Sequence, residues 1–217
     1  MSPEMIRKIF LYGAGGHAKV ILELLEVNGQ RCAGIYDEYG AATQLLGYPV
    51  SGSLNDDFKA ADSAMIIAVG NNLVRKKLAG KLAAEWATII HPSANISSRC
   101  TIGRGTVVMA GVSINSEAGI GDHVIINTNC SVDHDCVLAD YVHISPNAAL
   151  AGNVRVGEGT HIGIGAAVIQ GVKIGKWATI GAGSVIIRDV PDYAVVVGNP
   201  GRILRMNEPP EGLQEGK

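Results

Sequence analysis

Residues 126–150 read INTNCSVDHDCVLADYVHISPNAAL, and in this stretch Ile126, Val132, Leu138, Ile144 and Leu150 stand six places apart. The count runs back without a miss through Ile120, Ile114, Val108 and Ile102 to Ile96, and forward through Val156, Ile162, Val168, Ile174 and Ile180 to Ile186. Four places after each aliphatic comes a small residue, from Cys100, Thr106 and Val112 to Ala178, Ser184 and Val190. A period of six fits neither a helix nor an ordinary alternating strand. It fits short parallel strands joined by tight turns and wound as a β-helix. With three hexads to a coil, Ile96 to Pro191 makes roughly five coils, a prism about 25 Å tall at the strand spacing. The large and the small side chain must both point inward, because a thin triangular core has room for one of each per turn.

Composition agrees with such a prism. Gly is high at 28 of 217 residues and aromatics are low at 5%, as expected where glycine serves turns and small aliphatics fill the core. A net charge of −2 gives no reason to expect a nucleic-acid surface. Basic residues nevertheless gather toward the end of the prism at Lys173, Lys176, Arg188, Arg202 and Arg205, either as a solvated edge or as a landing place for phosphates. Cys100, Cys130 and Cys136 fall on the small inward position, where a thiol acts as a compact hydrophobe, so no disulfide is expected. Met1 to Tyr12 shows no signal-peptide pattern and no 18-residue apolar run occurs, which predicts a cytoplasmic protein without direct membrane insertion.

Ahead of the prism, Lys8 to Tyr12 reads as a buried strand running into Gly13-Ala14-Gly15-Gly16-His17-Ala18 and a helix to about Asn28. A second strand, Arg31 to Tyr36, ends at Asp37. After a loop through Gly47, Pro49 and Gly52 and a short helix around Asp56 to Ala61, a third strand, Ala64 to Val69, ends in Gly70-Asn71-Asn72. Leu73 to Glu85 has helical spacing with a basic face at Arg75, Lys76 and Lys77. This is a βαβ half-domain, too small for a complete dinucleotide fold. Open parallel sheets bind ligands beyond the carboxyl ends of their strands, which here carry Gly13, Gly15, Gly16, His17, Asp37, Gly70, Asn71 and Asn72. One nucleotide is expected there; the other reading gives the glycines a purely structural task. The expected domains are 1–88, 89–191 and a C-terminal segment 192–217. Trp86 to Ile90 carries the chain across, Ala194 to Val197 adds a final strand, and the tail from Asn207 is poorly ordered.

A β-helix without inserted loops has flat faces, so a substrate cleft needs a second body beside it, either the N-terminal domain or another prism. The densest polar group on the prism is Asn127, Asn129, Asp133, His134, Asp135 and His143. His134 holds the third place of its hexad, outside the inward pair, so its imidazole should face out between two carboxylates that can raise its basicity; the bland reading is a turn residue. His143 and His161, eighteen apart, should stack about 4.8 Å from each other on successive coils. The histidine spacing suits no metal, and none is expected.

Gly-Ala-Gly-Gly-His-Ala-Lys at 13–19, Gly-Asn-Asn at 70–72 with Arg75, Asn127-Thr128, Val-Asp-His-Asp-Cys at 132–136, His143, Gly152-Asn153 and Val-Gly-Asn-Pro at 197–200 together resemble the PglD and NeuD type of hexapeptide-repeat sugar acyltransferase. The resemblance covers nearly the whole chain. It implies a half-Rossmann-like α/β N-terminal domain followed by a parallel β-helix that is left-handed, against the usual crossover rule. It implies acetyl-CoA as cosubstrate and a nucleotide-linked amino sugar as acceptor, in a homotrimer. His134 becomes the general base with Asp135 orienting it, where PglD has a glutamate. His143 would contact the acyl thioester, Gly152 would offer the donor a backbone contact, and Asn199 and Pro200 would form a cofactor turn. Gly201 follows that turn where many relatives carry alanine. The acceptor would use the strand-end residues above together with Asn127. The expected reaction is N-acetylation of a 4-amino-4,6-dideoxy sugar. The alternatives are O-acetylation of a sialic acid type of sugar, a non-catalytic nucleotide-binding scaffold, and a dinucleotide-dependent oxidoreductase domain fused to a repeat.

Overall fold

The computed structural model describes residues 8–54 and 58–210. Two-residue strands recur every six residues from Ile89–Ile90 to Val185–Ile186, and each pairs in parallel with the strand one coil further on, as Val107 does with Ile125 and His143 with His161. The strands stack into three sheets. The first face runs from Ile89–Ile90 through Ile125–Ile126, His143–Ile144 and His161–Ile162 to Thr179–Ile180. Ala194–Val197 extends it, and the antiparallel strand Arg202–Met206 closes it. The second face runs from Asn95–Ile96 to Val185–Ile186 and the third from Thr101–Ile102 to Lys173–Ile174. The inward aliphatics from Val108 to Ile186 form one buried core, while Ile96, Cys100 and Ile102 are only partly covered because no further coil stacks beyond them. Each fully buried aliphatic contributes on the order of 1.5–3 kcal/mol, and that repeated gain holds a coil without long strands together. All four cysteines are free.

The turns have their own period. From Gly105 to Gly183 the residue just before each small inward one takes a φ between 54° and 73°. Gly, Asn and Asp tolerate that left-handed conformation, and they fill most of these places, including Asn129, Asp135, Asn147 and Asn153. Glu117, His123, Tyr141 and Trp177 do not suit it, yet they are there. The three rings all lie on one corner, where the third face turns into the first.

The N-terminal region comprises β1 (Lys8–Tyr12), α1 (Gly16–Val27), β2 (Cys32–Tyr36), β3 (Gln44–Leu45), β4 (Tyr48–Ser51), β5 (Ser63–Ile67), α2 (Asn72–Lys81) and β6 (Glu85–Trp86). The sheet order is β3-β4-β2-β1-β5-β6, parallel except for the β3–β4 hairpin, so strand order reverses between β1 and β5. This half-Rossmann-like sheet differs from the sequence reading in three places. The loop through Gly47 is a hairpin whose two-residue turn sets Leu46 and Gly47 at positive φ. The expected helix at 56–61 falls partly on residues 55–57, outside the described residues; its described part, 58–61, ends in a turn before β5. The second helix stops at Lys81 instead of Glu85, because Leu82 is already extended and Glu85–Trp86 pairs with β5. At the far end, Asn207 still donates to the Tyr193 carbonyl, and the tail beyond 210 lies outside the described residues.

Helix α1 places this sheet on the first face. Its buried Ala18, Ile21, Leu22 and Leu25 share a core with the outward-facing Ile89, Val107 and Ile125 of the prism. Further along the same column the outward residues become His143, His161 and Thr179. The apolar contact thus ends where a polar crevice begins.

Candidate active site

His134 stands in the turn between the second and third faces, with its side chain 60% exposed. Its Nδ1 lies 2.7 Å from Asp135 Oδ2. A carboxylate at that nitrogen fixes the tautomer with Nδ1–H donating, so the Nε2 lone pair is left to accept a proton. Asp133 Oδ1 accepts from the His134 backbone N–H at 2.7 Å and from Asn115 Nδ2 at 2.7 Å. The bond to Asp135, and then the charge of Asp133, raise the His134 pKa, while hydrogen bonds from Asn115 and His134 lower that of Asp133. One coil further on, Gly152 is buried beneath the ring: a Cβ there would sit 2.5 Å from His134 Cε1 and Nε2. Glycine at 152 is therefore what lets the imidazole lie down on the turn below it.

The crevice between the N-terminal sheet and the first face holds a different set of groups. His143 and His161 stack with centroids 4.9 Å apart and planes 16° from parallel, and His17 approaches His143 at 6.5 Å. Asn127 Nδ2 lies 3.2 Å from His143 Nε2, the Gly70 backbone approaches the same ring, and Ser145 Oγ lies 2.7 Å from His161 Nε2. Burial pushes His17 down to about 4 and His143 to about 3, with the neighbouring Arg75 charge adding to both shifts, and lowers His161 for the same reasons. All three are neutral at ordinary pH. A cleft of about 260 Å³ opens beside them, bounded by Gly70, Asn72, His161, Trp177 and Tyr193.

The glycine turn lies at the rim of this crevice. Gly13 takes φ 109° and a Cβ there would meet the Val69 side chain at 2.8 Å, whereas Gly15 and Gly16 face open space. Gly15 is the N-cap of α1 with no side chain over the first amides, and no acidic residue stands in the first turn. Asp37 is already engaged: Oδ2 accepts from Ala14 N–H at 2.8 Å, and Oδ1 from Tyr39 and Gly40 N–H. Its carboxylate pins the glycine turn. Asn71 caps α2 through Val74 N–H, and Asn72 donates to the Gly159 and Thr160 carbonyls of the prism.

The sequence-predicted residues therefore fall into two groups on different sides of the prism. His17, Gly70, Asn72, Asn127 and His143 meet in the first-face crevice, with Gly13, Gly15, Gly16, Asp37 and Asn71 around it. His134, Asp135 and Gly152 share the corner after the second face. Asn199 and Pro200 lie in the turn between Ala194–Val197 and Arg202–Met206, beside the second face's last strand, where Val185 exchanges backbone hydrogen bonds with Gly198 and Gly201. Gly201 is glycine for a local reason, since a Cβ would meet Ile186 at 2.8 Å and Val196 at 3.0 Å. His143, read from sequence as a donor contact beside His134, sits on the other side with Nε2 against Asn127 Nδ2. Arg75, read as part of a basic helix face, is 1% exposed. Asn115 gave no sequence signal; its place one coil before Asp133 was the only available clue. Among the described residues no cluster of His, Cys, Asp and Glu could hold a metal ion, and no helix is long and apolar enough to cross a membrane.

Two family models match the chain, the PglD N-terminal domain over residues 8–82 and the bacterial transferase hexapeptide (six repeats) over residues 153–188. Perosamine N-acetyltransferase from Caulobacter crescentus, solved as a histidine-to-asparagine variant with CoA and GDP-perosamine, is 41% identical with a TM-score of 0.86, over 91% of this chain and 97% of that one. The acetyltransferase domain of PglB from Neisseria gonorrhoeae in complex with acetyl coenzyme A is 40% identical with a TM-score of 0.84, over 91% and 99% of the two chains. UDP-N-acetylbacillosamine N-acetyltransferase of Bacillus subtilis is 42% identical over 112 residues, 48% of this chain and 52% of that protein, so the match spans about half the length of that curated relative. The chain belongs to the hexapeptide-repeat sugar N-acetyltransferases that carry a PglD N-terminal domain.

Proposed function

We propose that the protein transfers an acetyl group directly from acetyl-CoA to the amine of a nucleotide-activated amino sugar, a 4-amino-4,6-dideoxy sugar, with His134 as general base. The observation that carries this reading is the exposed imidazole held by Asp135 at Nδ1, with Nε2 left as acceptor. The amine attacks the thioester carbonyl and passes its proton to Nε2. The tetrahedral oxyanion then collapses, the carbon–sulfur bond breaks, and the imidazolium returns the proton to the departing thiolate. The backbone at Gly152, against the edge of the ring, offers an amide for the oxyanion. A raised imidazole pKa suits a base that takes the proton the amine nitrogen sheds as it attacks the carbonyl.

The acceptor's nucleotide is assigned to the carboxyl-end crevice, its phosphates at the uncapped first turn of α1 beside Gly15 and Gly16. Acetyl-CoA is assigned to the second-face side, from Gly152 to the turn at Asn199 and Pro200. Because one chain sets crevice and base apart, a complete site needs a second copy, and a cyclic homotrimer would bring the His134 corner of one prism to the crevice of the next. The relatives solved with CoA and GDP-perosamine or with acetyl coenzyme A support both ligand classes.

The test is release of CoA thiol from acetyl-CoA against a panel of UDP- and GDP-linked 4-amino-4,6-dideoxy sugars, with free sialic acid alongside. Turnover on an amino sugar is expected. Turnover on sialic acid alone would replace the amine by a hydroxyl, and no turnover with tight nucleotide binding would leave the scaffold reading.

A further inference from the structure

Arg75 leads the fully buried side chains by volume, and its guanidinium has five N–H donors and five acceptors around it. Nε donates to the His123 carbonyl at 2.8 Å. Nη1 faces the carbonyls of Val69 at 3.0 Å and Gly70 at 3.3 Å, and Nη2 faces Asn72 Oδ1 at 2.9 Å and the Tyr141 carbonyl at 2.8 Å. None of these is a carboxylate. Burial lowers its pKa to about 9, so it remains charged at neutral pH, a buried cation balanced only by carbonyl and amide dipoles. Desolvating a cation in this way costs free energy that only well-formed hydrogen bonds offset, so the arrangement is weak evidence for a stabilising role.

The acceptors belong to two bodies. Val69, Gly70 and Asn72 form the turn from β5 into α2, at the rim of the crevice. His123 and Tyr141 belong to successive coils on the corner between the third and first faces, where His123, Tyr141, Trp177 and Tyr193 all hold a left-handed φ. Each such residue costs on the order of 1–2 kcal/mol. Among the described residues, aromatic side chains at such a φ occur only on this corner, and strain of this kind points from the structure to a task. The rings there pack together as well: His123 stacks on Tyr141 at 5.3 Å, Trp86 meets His123 edge-on at 4.7 Å, and Lys76 lies over Tyr141 and Trp177 while pairing with Glu158.

We propose that Arg75 is a positioning residue that locks the Gly70–Asn72 turn onto the prism corner at His123 and Tyr141, so that an acceptor held at that turn meets the first face in a fixed register. The consequence for the acceptor rests on the assignment of its nucleotide to the strand-end crevice; the lock itself does not. Lysine cannot replace the arginine fully, because three donors on one nitrogen cannot serve five acceptors spread over a planar fork.

The test uses the full chain with Arg75→Lys and Arg75→Gln, the lysine variant keeping the charge and most of the volume should the glutamine variant fold poorly. In amide hydrogen exchange, both should speed exchange at Gly70–Leu73 and at the His123 and Tyr141 turns, and leave the inner prism strands unchanged. With the accepted amino sugar, KM for the acceptor should rise about tenfold in Arg75→Gln and less in Arg75→Lys, with KM for acetyl-CoA within twofold of the parent. A residue that served stability alone would move neither constant well below Tm. Unchanged exchange at Gly70–Leu73 in a folded variant overturns the lock even if no acceptor has been found. Equal shifts in both KM values, or full activity in Arg75→Gln, overturn the positioning role.

Discussion

The protein has two environments for histidine, and they push the same ring in opposite directions. His134 stands in solvent between carboxylates, and its pKa is raised. His17, His143 and His161 lie under the N-terminal sheet near a buried guanidinium, and their pKa values are lowered. The first kind of ring can pick up a proton near neutral pH. The second can only donate and accept hydrogen bonds as a neutral group. On the proposed reading, one fold separates proton transfer from recognition by covering one face of the prism and leaving a corner bare.

The sharpest way to break this contrast is His134→Ala. No inward position is touched, so circular dichroism and oligomer size should match the parent, while kcat falls by roughly 10² to 10⁴. Next in size is Gly152→Ala. The added Cβ cannot coexist with the observed ring position, but it displaces only the end of an exposed side chain. Stability should therefore hold, and kcat should drop by about 10- to 100-fold as the base moves out of line. Gly15→Val examines the other environment. Its Cβ meets nothing in the protein, so it should leave acetyl-CoA affinity alone and weaken acceptor binding by about tenfold by filling the space above the first amides of α1. The smallest effect is expected from Asp135→Asn. Loss of the carboxylate removes the main cause of the raised pKa, so the acid limb of kcat/KM, set by protonation of His134, should move to lower pH. Turnover should fall only a few-fold at neutral pH, and an acid limb that stayed in place would remove His134 from the profile.

Legibility in the sequence follows the same division. The hexad count found the prism, its inward residues, the outward His134 and the His143–His161 stack, because each depends on a period set by local backbone geometry. The left-handed turn position was legible as well, in the Gly, Asn and Asp that precede the small inward residues, but only the structure shows that Asp135 shares it with Tyr141 and His123. Leu46-Gly47 hid a hairpin because leucine is not a turn residue, and Arg202–Met206 hid a strand because all five residues are exposed and do not alternate. Arg75 was misread for a different reason. On its own helix it continues a basic run, and the carbonyls that bury it come from residues 48 and 66 positions away. No window of sequence contains that contact. The separation of His134 from His143, nine residues apart in the chain, is likewise a matter of which face the coil has reached.

Under the proposed assignment of base and crevice, that separation requires two chains for one site. The direct test mixes two variants that are each impaired alone and assayed at acceptor concentrations below KM, His134→Ala, which keeps the crevice, and Gly15→Val combined with His17→Ala, which keeps the base. After the chains are dissociated and reassembled together, random mixing should pair an intact base with an intact crevice at about a quarter of the interfaces in a cyclic trimer. Recovery of about a quarter of the parent activity is expected in the mixed assembly. No recovery in assemblies shown by native mass spectrometry to contain both chains would contradict the two-chain site.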